Sequence, residues 1–153
     1  MIAVDTNLLV YSHREDSEWH AAAKACLVDL ADSGSAWAIA WSSLHEFIAV
    51  VTHPRIYAPP TPQATACAAI RSWLESPGLQ LLHEGPGYLD KLERLCVRAR
   101  IAGGRTHDAR IAAICLNHGV AELWTADRDF SLFPELKTRN PLLGGSKRRK
   151  PDA

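Results

Sequence analysis

Residues 1–10, MIAVDTNLLV, place one ionisable side chain between two apolar runs, Ile2-Ala3-Val4 and Leu8-Leu9-Val10. A three-residue apolar start that stops at an acid is the pattern of a short buried strand whose carboxyl end carries a functional group. A lone buried carboxylate costs several kcal/mol unless it is paired or protonated. Asp5 therefore demands either a cap role at Thr6, since aspartate is a favoured N-cap, or a partner supplied from elsewhere in the chain.

Working outward, the same grammar repeats. AWAIAW (36–41), LQLL (79–82), AELWTA (121–126) and LKTR (136–139) have strand character. Between them, SEWHAAAKACLVDLADSG (17–34), SSLHEFIAVVTH (42–53), QATACAAIRSWLES (63–76), YLDKLERLCVRARIAG (88–103) and THDARIAAICLNHG (106–119) have helical spacing. Ser17, Ser42 and Thr106 are expected to open helices, and Gly34 and Gly119 to close them. Tyr57 to Pro62 holds three prolines and is expected to be a loop. Short apolar strands alternating with helices predict an α/β domain with a mostly parallel sheet. In that class functional groups collect at the carboxyl ends of the strands.

The 153 residues suit a single domain, and 47% hydrophobic with 22% charged residues is ordinary for a globular protein. No apolar run nears the roughly 18–20 residues of a membrane span, and no signal-peptide pattern opens the chain. The expectation is a cytoplasmic protein with no membrane partner. Cys26, Cys67, Cys96 and Cys115 form no C-x-x-C pair and sit among aliphatics, so reduced thiols are expected rather than zinc or disulfides. Net charge is zero, yet KRRK (147–150) holds four of the 17 basic residues, leaving the rest of the chain acidic. Residues 143–153 are expected to form a basic, disordered tail behind a domain at 1–142.

Three further acids repeat the problem posed by Asp5. Glu46 is the one charged residue in WSSLHEFIAVV, a helix apolar nearly all round and so expected to be buried. A capping box from Ser43 to Glu46 would be its structural explanation. Asp108 lies in the first turn of its helix, where the dipole favours an acid, on the stripe of Ile111, Ala112 and Cys115. Asp127 and Asp129 follow the strand at Leu123-Trp124, with Thr125 between. Either could organise a turn, and Asp127 is favoured for a site because it is nearer the strand edge. One shared site explains all four positions at once. Clustered carboxylates need a cation, and a hard divalent ion such as Mg²⁺ or Mn²⁺ suits oxygen donors.

Other chemistries lack their residues. HEFIA has Ala49 where a zinc peptidase needs its second histidine, and Asn7 replaces the second acid of an aspartyl-phosphate phosphatase. Neither GGRTHDA nor GGSKRRK is a P-loop.

VDTNLLV, LHEF, THDARIAA and LWTADRDF, in this order and spacing, resemble the PIN-domain ribonucleases, and most closely the VapC toxins of bacterial VapBC modules. The resemblance covers residues 1–140. It implies a three-layer α/β/α fold and a Mg²⁺-dependent endoribonuclease, the toxin of a type II toxin–antitoxin system. The family's acidic quartet carries over to Asp5, Glu46, Asp108 and Asp127, with Asp129 the alternative fourth acid. Thr6, Asn7 and Thr125 become its polar support. Asp5 and Asp108 would bind the metal directly, with Glu46 and Asp127 acting through waters. Arg105, Arg110 and Arg128, near the acids in sequence, are candidate RNA phosphate contacts. The implied partners are a VapB-type antitoxin lying across the acidic groove, an RNA substrate, and a second copy in a homodimer or hetero-oligomer. The rival from another class is a non-catalytic RNA- or protein-binding domain of the same fold.

Overall fold

A computed structural model of the chain describes residues 1–144. The first strand, β1 (Ile2–Val4), is three residues long because Asp5 ends it by capping a helix, α1 (Thr6–His13). That helix was not expected from sequence. Leu8, Leu9 and Val10 are consecutive and apolar, which looks like strand. They tolerate helical geometry because α1 is covered by neighbours on more than one side, leaving all three buried. Each fully buried aliphatic side chain contributes about 1.5–3 kcal/mol.

The remaining elements are α2 (His20–Asp32), β2 (Trp37–Ala40), α3 (Trp41–Val51), α4 (Gln63–Leu74), β3 (Leu79–Leu82), α5 (Tyr88–Ala99), α6 (Thr106–Asn117), β4 (Glu122–Trp124) and β5 (Thr138–Arg139). Short 3-10 turns occupy Gly103–Arg105, Arg128–Leu132 and Pro141–Gly144. Several boundaries differ from expectation. Ser17 accepts from the Trp19 amide, three residues ahead of the first residue of α2. Helix α3 starts at Trp41 directly from β2, with Ala40 as its cap residue. Thr106 does not cap α6, because the preceding 3-10 turn runs straight into the helix. Gly119 does follow the end of α6, at φ +66°, a conformation suited to glycine.

The five strands form one sheet in the order β3-β2-β1-β4-β5, every pair parallel. Alternation along the strands divides the core in two. Ala3, Ala38, Ala40, Leu82 and Leu123 face α5 and α6, whereas Val4, Trp37 and Ile39 face α1 to α4. The result is the expected three-layer α/β/α sandwich. The α6 side of the sheet is notably small, and Ala109, Ala112 and Ala113 answer it from the helix. Chain order departs from β1 in opposite directions, through β2 to β3 and through β4 to β5. The crevice beside the end of β1 is thus the topological switch point of the sheet. Val4 is in register with Trp124 on one side and Ile39 on the other, so β1 and β4 finish level and β2 ends one residue further on. Leu142 is buried in the final 3-10 turn, and residues 145–153, including KRRK, lie outside the described residues. Among the described residues no helix is long and apolar enough to cross a membrane.

Candidate active site

Asp5 extends the β1–β4 pairing by one bond, its amide donating to the Trp124 carbonyl at 3.0 Å. Its side chain then enters the crevice and is only 4% exposed. Oδ1 accepts from the Thr6 amide at 2.8 Å, the N-cap bond of α1. Oδ2 accepts from Thr125 Oγ1 at 2.7 Å and from Asn7 Nδ2 at 2.9 Å. The cap role and the site role of Asp5 are therefore one arrangement rather than alternatives.

Thr125 and Asn7 lock this geometry. The Thr125 hydroxyl donates to Asp5 and accepts from Asn7 Nδ2 at 3.1 Å and the Asp127 amide at 3.0 Å. Asn7 Oδ1 accepts from the Ala126 amide at 3.1 Å, which fixes the orientation of the amide. Residues 5–7 and 125–127 are stitched together across the switch point. Asp127 in turn accepts from the Asp129 amide at 2.8 Å and caps the 3-10 turn Arg128–Leu132, so it both organises a turn and presents an acid.

Asp5, Glu46, Asp108 and Asp127 line one groove of about 300 Å³, together with Thr6, Asn7, Val10, Tyr11, Val50 and Tyr57. Among the described residues no lysine or arginine lines it. Asp129 is exposed and does not line the groove, but Asp108, Asp127 and Asp129 can each offer an oxygen within 4.8 Å of the others. Burial pushes the Asp5 carboxyl up to about 7 despite its bonds to Thr125 and Thr6, and the charges of Glu46 and Asp108 push the same way. Asp108 rises to about 6, first from desolvation and then from repulsion by Asp127, Glu46 and Asp129. This is a set of hard oxygen donors short of positive charge.

Three expectations need correction. Glu46 is exposed, not buried: α3 turns this face toward the groove, and Oε2 accepts from Thr6 Oγ1 at 3.0 Å. The capping box is absent, because α3 begins two residues before Ser43, whose Oγ is buried without a hydrogen-bond partner. Asp108 is half-buried at the groove rather than pressed under the sheet, since the first turn of α6 projects past the strand ends.

The arginines divide. Arg110 is held by Glu84 Oε1, at 2.8 Å from Nε and 2.7 Å from Nη2, and lines a neighbouring cavity with His45 and His107. Arg105 and Arg128 are exposed on the 3-10 turns flanking α6 and Asp127, and neither lines the groove. Tyr11, Val10, Val50 and Tyr57 were not anticipated. Tyr11 and Val10 come from the unexpected helix α1, and Tyr57 from a loop whose prolines predict a turn but not its direction.

A PIN domain family model matches residues 2–136. The chain is 33% identical over 142 residues to Ribonuclease VapC33 of Mycobacterium tuberculosis, spanning 93% of this chain and 99% of that protein. It is 34% identical over 144 residues to Ribonuclease VapC43 of the same organism, spanning 94% and 97%. Among solved structures it is similar to VapBC2 from Rickettsia felis bound to a promoter DNA fragment, with TM-score 0.68, 19% identity and coverage of 91% and 98%. It is also similar to M. tuberculosis VapC20, described as a Sarcin-Ricin loop cleaving toxin, with TM-score 0.64, 20% identity and coverage of 86% and 93%. The order of strands, the acids at their carboxyl ends and the near full-length match lead to one conclusion: the chain belongs to the PIN domain family.

Proposed function

We propose that this protein is a metal-dependent endoribonuclease that hydrolyses RNA phosphodiester bonds and acts as the toxin of a type II toxin–antitoxin module in the cytoplasm. The observation that carries the proposal is the convergence of Asp5, Glu46, Asp108 and Asp127, from four separate segments, on one groove that has no basic lining residue among the described residues. Relatives named as ribonucleases, matching along nearly all of the chain, support the same reading.

The donor set fits a hard divalent ion, with Mg²⁺ preferred and Mn²⁺ an alternative. Asp5 and Asp108 would hold it, with Glu46 and Asp127 completing the site and Asp129 in support. When bound, the ion would neutralise the carboxylates, polarise a phosphate and acidify water. The chain's own groups do the positioning. Thr125 and Asn7 aim the Asp5 carboxylate, Thr6 aims Glu46, and the backbone amides of Ala126 and Asp127 tie that aim to the β4 loop. Such supporting partners are generally worth about 10–100-fold in metal affinity or activity. Arg105 and Arg128 flank the groove and would meet the RNA backbone, whereas Arg110 is occupied by Glu84. A VapB-type antitoxin, in a hetero-oligomer built on a homodimer, is the partner this reading assigns.

The test is cleavage of cellular RNA by the purified chain in Mg²⁺, in Mn²⁺ and in excess EDTA, alongside Asp5→Asn and Asp108→Asn. Activity confined to the divalent ions and lost in both variants is expected. Undiminished cleavage in EDTA would overturn the mechanism, and no cleavage under any condition would favour a binding-only domain.

A further inference from the structure

The groove of the acids is also lined by two tyrosines, Tyr11 and Tyr57, and one of them is held by a clamp. Tyr57 sits in the loop after α3 and lines the groove with Tyr11, Val10 and Val50. The Arg14 guanidinium lies 4.2 Å from the centre of the Tyr57 ring. Arg14 is itself held by four hydrogen bonds to three residues. Its Nε and Nη2 donate to the Asp16 carboxylate at 2.9 and 2.6 Å, and Nη1 donates to the Pro59 carbonyl at 3.1 Å and Thr61 Oγ1 at 3.2 Å. The Thr61 amide donates to the Val51 carbonyl at 2.8 Å, and His13 Nε2 lies 3.1 Å from Thr61 Oγ1. The clamp thus joins the ends of α1 and α3 to the loop. Only 12% of the Arg14 side chain is exposed, so its stem and guanidinium pack against the loop and the ring.

A tyrosine held in this way lines the same groove as the carboxylate cluster. From that juxtaposition we infer that Tyr57 is the platform on which an unpaired nucleobase next to the scissile phosphate stacks, and that Arg14 is its positioning residue. The inference rests on the ribonuclease reading and narrows it to single-stranded segments. Bases within a duplex are already stacked and offer no free face, whereas splayed bases of single strands and loops stack on aromatic side chains. Phosphate contacts alone would need no aromatic ring here. Stacking asks for the ring, its clamp and its place in the groove of the acids.

The experiment measures binding and cleavage separately. A fluorescein-labelled unstructured octaribonucleotide is titrated in Ca²⁺ by anisotropy, and a matching oligonucleotide carrying 2-aminopurine reports stacking through quenching. Tyr57→Leu should weaken binding about tenfold and abolish quenching, with Tyr57→Phe restoring both. Arg14→Met should reduce quenching while leaving the melting shift produced by Mn²⁺ unchanged. The wild-type protein should bind the single strand more tightly than the same sequence in duplex. Equal affinity for duplex and single strand, or undiminished binding and quenching in Tyr57→Leu, would overturn the inference. Cleavage with an unchanged KM in Tyr57→Leu would sink the stacking role and leave the nuclease standing. A stacking signal without cleavage in Mg²⁺ or Mn²⁺ would do the reverse.

Discussion

Replacing Asp5 with asparagine should make the metal-free protein more stable at pH 8 while abolishing RNA cleavage. The carboxyl is 4% exposed, and burial lifts it from the ordinary 3.8 to about 7. A folded-state value above the unfolded one means the native protein binds the proton more tightly. The associated stability is complete below about pH 3.8 and is lost as pH rises toward 7. At pH 8 the ionised group therefore weakens the fold by about 4 kcal/mol relative to its protonated form. Asparagine removes that charge. It keeps an oxygen for the Thr6 amide, but sets its own amide donor against Asn7 Nδ2 and against the Thr125 hydroxyl, which already accepts two bonds, forfeiting two bonds of about 1 kcal/mol each. The net gain of about 2 kcal/mol should raise the melting temperature in EDTA by about 4–8 °C. At pH 4.5 the ionisation penalty falls to about 1 kcal/mol and the gain should be lost. Calorimetry in EDTA at both values provides the check. A lower melting temperature for Asp5→Asn at pH 8, or the same difference at pH 8 and pH 4.5, would refute the reasoning.

The same logic fixes other outcomes. Because Asp5 and Asp108 titrate near 7 and 6, Mg²⁺ or Mn²⁺ should raise the melting temperature much more at pH 8 than at pH 5, as protons displace the ion from both groups. An equal shift at the two values would count against those carboxylates as ligands. Asp108→Asn should lose cleavage while keeping the wild-type circular dichroism spectrum, since the residue is half-buried at a groove and not in the core. Thr125→Val removes the hydroxyl that Asp5, Asn7 and the Asp127 amide share, and should reduce activity or metal affinity about 10–100-fold. A cleavage assay with metal titration would detect retention of both, which would deny the network its role. Ala38→Leu should destabilise the fold by about 1–3 kcal/mol, because Ala38 is 0% exposed on the α6 side of the sheet, and urea denaturation would measure it.

The acids were legible in the sequence because their positions are local statements. Asp5 follows its strand directly, Asp127 comes three residues past the end of β4 and Asp108 lies in the first turn of a helix, and a parallel sheet carries all such positions to one edge. Glu46 was legible as an anomaly but was assigned the wrong surroundings. Apolar neighbours at helical spacing indicate a buried helix, yet they do not tell which side of α3 meets a gap between elements. Helix α1 was missed for the related reason that burial on several sides erases the periodicity that separates helix from strand in Leu8-Leu9-Val10. Tyr57 and the capture of Arg110 by Glu84 depend on loop direction and on contacts 26 or more residues apart, for which spacing carries no signal. Asp127 and Asp129 differ by two positions in sequence, and only coordinates separate a groove-lining acid from a flanking one.

The stitching of residues 5–7 to residues 125–127 sets a timetable for synthesis. Asp5 and Asn7 emerge from the ribosome almost at once, yet the hydroxyl and amide that hold them are 118 to 120 positions behind. Central strand β1 must wait for β4, so the nascent chain carries an unfinished groove through most of its translation. The groove is complete only when nearly the whole chain is out. A premature stop anywhere before Thr125 leaves Asp5 without the hydroxyl that aims it and the groove without Asp127.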